Sequence, residues 1–108
     1  MSVGYEVGSS VTVRALHQMP VEGPEGELHP HDYRIDVVVG RAELDDHGMV
    51  CDLDALRAAL QEIVARIDGK DLEEIRPRDA EAVTVEVLAR WAHQNLVPVL
   101  RQAGGDTL

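Results

Sequence analysis

The chain has 108 residues, and 10 Lys plus Arg stand against 20 Asp plus Glu, a formal net charge of −10. That acidic balance argues against a nucleic-acid backbone or an anionic membrane surface as partner, since both require a basic footprint. Hydrophobic residues make up 44% and aromatics 3%, so one domain over residues 1–108 is expected, with a core of Val, Leu, Ile and Ala. The single cysteine, Cys51, has no partner for an internal disulfide, which points to a reducing, cytoplasmic setting. No signal peptide or membrane span is legible.

The first half of the chain has period two. From Ser9 to Gln18 the odd positions Val11, Val13, Ala15 and His17 alternate with Ser10, Thr12 and Arg14. From His29 to Glu43 the odd positions His29, His31, Tyr33, Ile35, Val37 and Val39 alternate with Asp32, Arg34 and Asp36. Both stretches predict antiparallel strands with one dry and one wet face. The acidic Met19–Leu28 stretch between them, with its prolines and glycines, reads as a loop.

After a turn over Leu44–Met49, the residues Leu53, Leu56, Leu60, Ile63, Val64 and Ile67 fall at helical spacing. They predict a helix from Leu53 to Ile67, capped by Asp52 and followed by Gly69. Lys70–Ala82 reads as a turn or short helix. Thr84 then caps a second helix carrying Val85, Leu88, Ala92 and Leu96, which Pro98 is expected to close. The tail Gln102–Leu108 shows no packing role. Two strands and two helices leave sheet edges exposed, so either other subunits complete the sheet or further strands lie beyond Leu108.

Three histidines share one strand face. His29 and His31 are two residues apart and project together, about 6–7 Å apart along the strand. If the two strands pair, His17 reaches the same patch, and three imidazoles with a fourth position open make a catalytic zinc arrangement. Polar residues at strand ends are also common, so spacing alone leaves the metal open. His47, in an acidic turn, and His93, off the helical stripe, read as solvated; Cys51 reads as a packing residue.

Several fragments, in order, now point further: Ala15–His17 (A-L-H), His29–Tyr33 (H-P-H-D-Y), Gly48–Leu53 (G-M-V-C-D-L), Ile67–Leu72 (I-D-G-K-D-L) and Val83–Val87 (V-T-V-E-V). Over roughly residues 9–100 the chain resembles the 6-pyruvoyltetrahydropterin synthase and 6-carboxytetrahydropterin synthase family. The resemblance implies an α+β tunnelling fold, an antiparallel sheet with two helices on one face. It implies Zn2+ held by His17, His29 and His31, and subunits joined edge to edge, usually as a homo-hexamer with active sites at subunit boundaries. It further implies a reduced pterin substrate, 7,8-dihydroneopterin triphosphate, and carbon–oxygen lyase chemistry.

The chain departs from that family in places that matter. Pro30 replaces the glycine of the usual H-G-H-x-Y, and the loop before it lacks the family's cysteine base. Glu25, four residues before His29, is the candidate replacement, with Glu22 and Glu27 nearby; its carboxyl, ordinarily near pKa 4.3, needs burial or an anionic neighbour to act near neutral pH. The family's L-D-H reads Ile67-Asp68-Gly69, which keeps a candidate catalytic Asp68 and removes its imidazole partner. Thr84 and Glu86 match the family's pterin-lining T-x-E, and they equally suit a helix start. The family's final Glu-Thr strand has no counterpart before Leu108. The expectation is therefore a zinc-binding enzyme of altered proton transfer. The alternatives are an enzyme for a different pterin-like substrate, or a non-catalytic zinc-binding assembly or ligand-binding member of the same fold.

Overall fold

A computed structural model describes residues 4–23 and 26–104. Two 13-residue strands, β1 (Tyr5–His17) and β2 (His29–Arg41), pair antiparallel from Tyr5 opposite Arg41 to His17 opposite His29. Helix α1 runs Leu53–Ile67, a single 3-10 turn spans Leu72–Ile75, and α2 runs Val85–Gln102. The architecture is α+β: a small, unclosed antiparallel sheet with two helices on one face, the arrangement of a tunnelling-type unit.

Odd-numbered strand residues face the helices, as the alternation predicts. Val13 and Ala15 of β1 and Val37 and Val39 of β2 are buried, whereas Thr12, Arg14, Asp32, Arg34 and Asp36 are exposed on the opposite face. There Arg14 pairs with Asp32 at 2.9 Å and Arg34 with Asp36 at 3.0 Å. With every partner more than half exposed, these pairs contribute little to stability. The strand pattern begins earlier than expected, at Tyr5, because Val7 continues the dry face and packs on the core.

The core has two lobes. The larger gathers Val37, Val39, Leu56, Leu60, Ile63, Leu96 and Leu100; the smaller gathers Val13, Ala15, Ile67, Leu72, Val83 and Leu88 near the His17 end of the sheet. Cys51 is a free, buried residue of the larger lobe, and burial holds its thiol above the ordinary range. Leu72 is 2% exposed and pins the 3-10 turn beneath β1. Leu72→Ala should therefore cost about 2–5 kcal/mol of stability, read as a lower chemical-denaturation midpoint at unchanged slope.

Helix ends are fixed as the sequence indicates. The Asp52 carboxylate accepts from the backbone N–H groups of Asp54 and Ala55, and the Thr84 hydroxyl accepts from that of Val87 at 3.2 Å. Gly69 follows α1 with φ +70°, the left-handed conformation in which a side chain is strained, and its N–H donates to the Arg14 carbonyl at 2.7 Å.

Two features differ from the reading of the sequence. Helix α2 continues through Pro98 to Gln102. Pro98 removes only the bond to the exposed Gln94, whose carbonyl can reach water, while the fully buried Leu100 holds the last turn on the core. The beginning of the tail also has a role: the Ala103 carbonyl accepts from the Asp52 N–H at 3.1 Å, and that of Gly104 accepts from Arg41 at 3.3 Å.

The outer edge of β1 is partly covered. Leu16 donates to the Lys70 carbonyl at 2.8 Å and bridges Asp71 in parallel, so the chain after α1 runs alongside the end of the strand. These bonds show that even-numbered β1 residues point their backbone groups away from β2. In an antiparallel ladder the opposed even-numbered residues of β2 then point outward as well. Pro30, opposite Leu16, lies in that outward set, so its missing N–H costs the hairpin nothing.

Candidate metal centre

The site is the last two rungs of the hairpin. His17 opposes His29, and His31 opposes Ala15, so all three imidazoles leave the same sheet face at the same end. Ring centroids lie 5.5 Å apart for His17 and His29, 5.5 Å for His17 and His31, and 4.6 Å for His29 and His31. One ligand nitrogen from each can be chosen so that all lie within 4.8 Å of one another. Ala15, between His17 and Val13 on that face, is small enough to leave the rings room.

His17 is the innermost of the three. Both of its ring nitrogens are buried and make no well-formed hydrogen bond among the described residues, the Val83 backbone being the nearby acceptor. Such orphaned nitrogens are costly unless something pairs with them. Burial depresses the His17 pKa, and the neighbouring His31 and His29 depress it further; the Val83 backbone and the Asp71 carboxylate oppose the shift. The ring is thus biased toward the neutral form that ligates a metal.

His29 carries the support that metal-binding histidines usually have. Its Nδ1 lies 2.6 Å from the Glu27 carbonyl oxygen. A carbonyl can only accept, so Nδ1 bears the proton and the lone pair of the neutral ring lies on Nε2. That Nε2 lies 2.8 Å from Nε2 of His31, which makes His31 the donor between them. Two ligands of a tetrahedral zinc at 2.0–2.1 Å sit about 3.3 Å apart, so loading requires this pair to open by about half an ångström and His31 to turn its lone pair inward. Three convergent imidazoles, one with orphaned nitrogens and one with a locked tautomer, fit a zinc ion.

The other residues singled out in the sequence serve the fold where they are described. Asp68 ends α1, and its carboxylate accepts from the Arg14 N–H at 3.3 Å. Thr84 caps α2, and Glu86 is exposed in the first turn, suited to the helix dipole. Glu25 lies outside the described residues. His47 and His93 are exposed, as expected.

Sequence reasoning passed over Tyr33 and Asp71. The Tyr33 ring lies 5.9 Å from that of His31, and burial holds its phenol above the ordinary range. Its shared parity with both strand histidines could have flagged it. Asp71 comes near His17 only through the pairing of Leu16 with the chain after α1, for which no periodicity is visible. A cavity of about 340 Å³ begins at Tyr33 and runs between β2 and α2, lined by Ile35, Val37, Leu88, Ala92 and Leu96.

Comparison with known proteins agrees with this geometry. A protein of Archaeoglobus fulgidus, provisionally named a 6-carboxy-5,6,7,8-tetrahydropterin synthase, is 26% identical over 91 residues. The alignment covers 83% of this chain and 78% of that protein. Residues 8–107, which include most of β1, all of β2, both helices and all three histidines, match the family described as 6-pyruvoyl tetrahydropterin synthase, and the chain belongs to that family.

Proposed function

We propose that the chain is a zinc-dependent 6-pyruvoyl- or 6-carboxytetrahydropterin synthase-like enzyme acting on a reduced pterin such as 7,8-dihydroneopterin triphosphate. The observation that carries this reading is the convergence of His17, His29 and His31, whose ligand nitrogens lie within 4.8 Å of one another, with those of His17 buried. Zinc bound there supplies a Lewis acid for side-chain oxygens of the substrate. His29 holds its own proton on Nδ1, against the Glu27 carbonyl, so Nε2 is the nitrogen that would hold the ion. Glu25, four residues upstream of His29, would stand in place of the family's loop cysteine as the base that takes a proton from a side-chain carbon of the substrate. Asp68 has no neighbouring histidine to relay to, because Gly69 occupies that position. Thr84 and Glu86 bound the pterin side, at the start of α2.

The assembly is a homo-oligomer, a hexamer by family resemblance. The support is the two-stranded sheet itself, which leaves most of both outer edges without partners among the described residues. The lone buried Cys51 suits a reducing cytoplasm. Among the described residues no helix is long and apolar enough to cross a membrane.

The test is to incubate the zinc-loaded protein with 7,8-dihydroneopterin triphosphate and identify the products by mass spectrometry. Release of triphosphate or of a side-chain carbon fragment, abolished by His31→Ala, is expected. An unchanged substrate with zinc bound would overturn the enzymatic reading for this pterin. Light scattering should give a mass several times that of one chain, and a monomer would remove the interface-built site.

A further inference from the structure

The loop that joins the two metal-bearing strand ends is closed by one side chain. Gln18 directly follows His17, and its Nε2 donates to the Gly26 carbonyl at 2.7 Å, across eight residues. The Gly26 N–H in turn donates to the Gly23 carbonyl at 3.0 Å, and that of Val21 to Met19 at 2.9 Å. A Cβ on Gly26 would collide with the Val21 carbonyl, so glycine is required there. The next carbonyl along the chain is that of Glu27, which accepts from Nδ1 of His29.

We propose that Gln18 is a positioning residue for the histidine triad: by tethering Gly26 it aims the Glu27 carbonyl at His29 and thereby fixes which nitrogen of that ring can ligate. The inference rests on the metal reading given above and adds to it how the site is preorganised. The Gly26–Glu27 peptide is held on one side by the amide of Gln18. The start of β2 holds Glu27 on the other side, by the pairing of His29 with His17. Between these two anchors the Glu27 carbonyl has little freedom to turn. Without the tether the loop carbonyl is released to water, and the His29 proton is free to move to Nε2, the atom that must carry the lone pair. Because Gln18 belongs to β1's end and His29 to β2's beginning, the same bond also holds the two halves of the triad together.

Gln18 is exposed, so its replacement leaves the core untouched. The informative variant is Gln18→Glu, which keeps size and shape but has no N–H to donate at neutral pH. Gln18→Arg restores N–H donors at the same position. In the metal-free full chain, the side-chain nitrogens of histidine can be read by 15N NMR at about pH 8.5, where imidazoles are neutral. Wild type and Gln18→Arg should show His29 protonated on Nδ1, and Gln18→Glu and Gln18→Ala should show substantial transfer to Nε2. Zinc affinity, measured by competition with a chromophoric chelator, should fall about 10–100-fold in the latter two, the usual effect of losing an outer ligand support. Gln18→Glu with a wild-type tautomer would overturn the proposal, whatever its zinc affinity. A locked His29 in a wild type that binds no zinc through its histidines would support the tether and overturn the metal reading.

Discussion

His31→Ala should abolish retention of zinc by protein purified without added metal, taking the content from one ion per chain to near none. His31 is the most exposed of the three histidines, and it contributes one of three nitrogens that lie within 4.8 Å of one another. Its removal leaves two imidazoles, of which His17 has buried ring nitrogens and His29 is held by the Glu27 carbonyl. Losing an outer support typically costs 10–100-fold in affinity, so losing a ligand should cost more than about 100-fold. The fold should survive, because His31 lies outside both core lobes. Unchanged zinc content in the variant, with circular dichroism like wild type, would mean that the ion is held elsewhere.

Glu25→Gln should leave zinc bound and reduce turnover of dihydroneopterin triphosphate by about 10²–10⁴-fold, the usual share of one general base. The amide keeps the size of the side chain and removes its ability to take a proton. The comparison is sharp because the family's cysteine has no substitute elsewhere: the only thiol, Cys51, is buried in the core lobe beside the start of α1. Equal turnover in wild type and variant would show that another group is the base. A parallel rise in KM with unchanged kcat would instead make Glu25 a binding residue.

The strands and helices were legible because burial on one face imposes a period, and this chain keeps its periods cleanly. The odd positions of both strands, the Leu56–Leu60–Ile63–Ile67 stripe and the Leu88–Ala92–Leu96 stripe account for most of the core. The same parity placed His29 and His31 on one face and brought His17 to them on condition that the strands pair, and the observed register puts His17 opposite His29. Helix α2 was cut short at Pro98 because a proline rule is local, whereas the burial of Leu100 that overrides it is tertiary. What remained illegible was backbone work. The carbonyl of Glu27 and the segment from Gly69 to Asp71 beside β1 carry no side-chain signature in the sequence. Gly69 illustrates the point: the resemblance marks it as a lost histidine, and the structure gives it a left-handed turn on which α1 ends.

Pro30, harmless within the hairpin, governs what can be added outside it. A strand growing onto the free side of β2 would find backbone donors at Gly40, Val38, Asp36, Arg34 and Asp32, and would pair rung by rung toward the histidines. At Pro30 the next donor is missing, and a pyrrolidine ring stands where a carbonyl would need an N–H. Zippering stops there, beside the rung at which His17 and His29 meet. A neighbouring backbone is thus denied a hydrogen bond at the end of the strand that carries His29 and His31. Where the family carries glycine, this chain has placed a stop for sheet extension between two of its three clustered histidines.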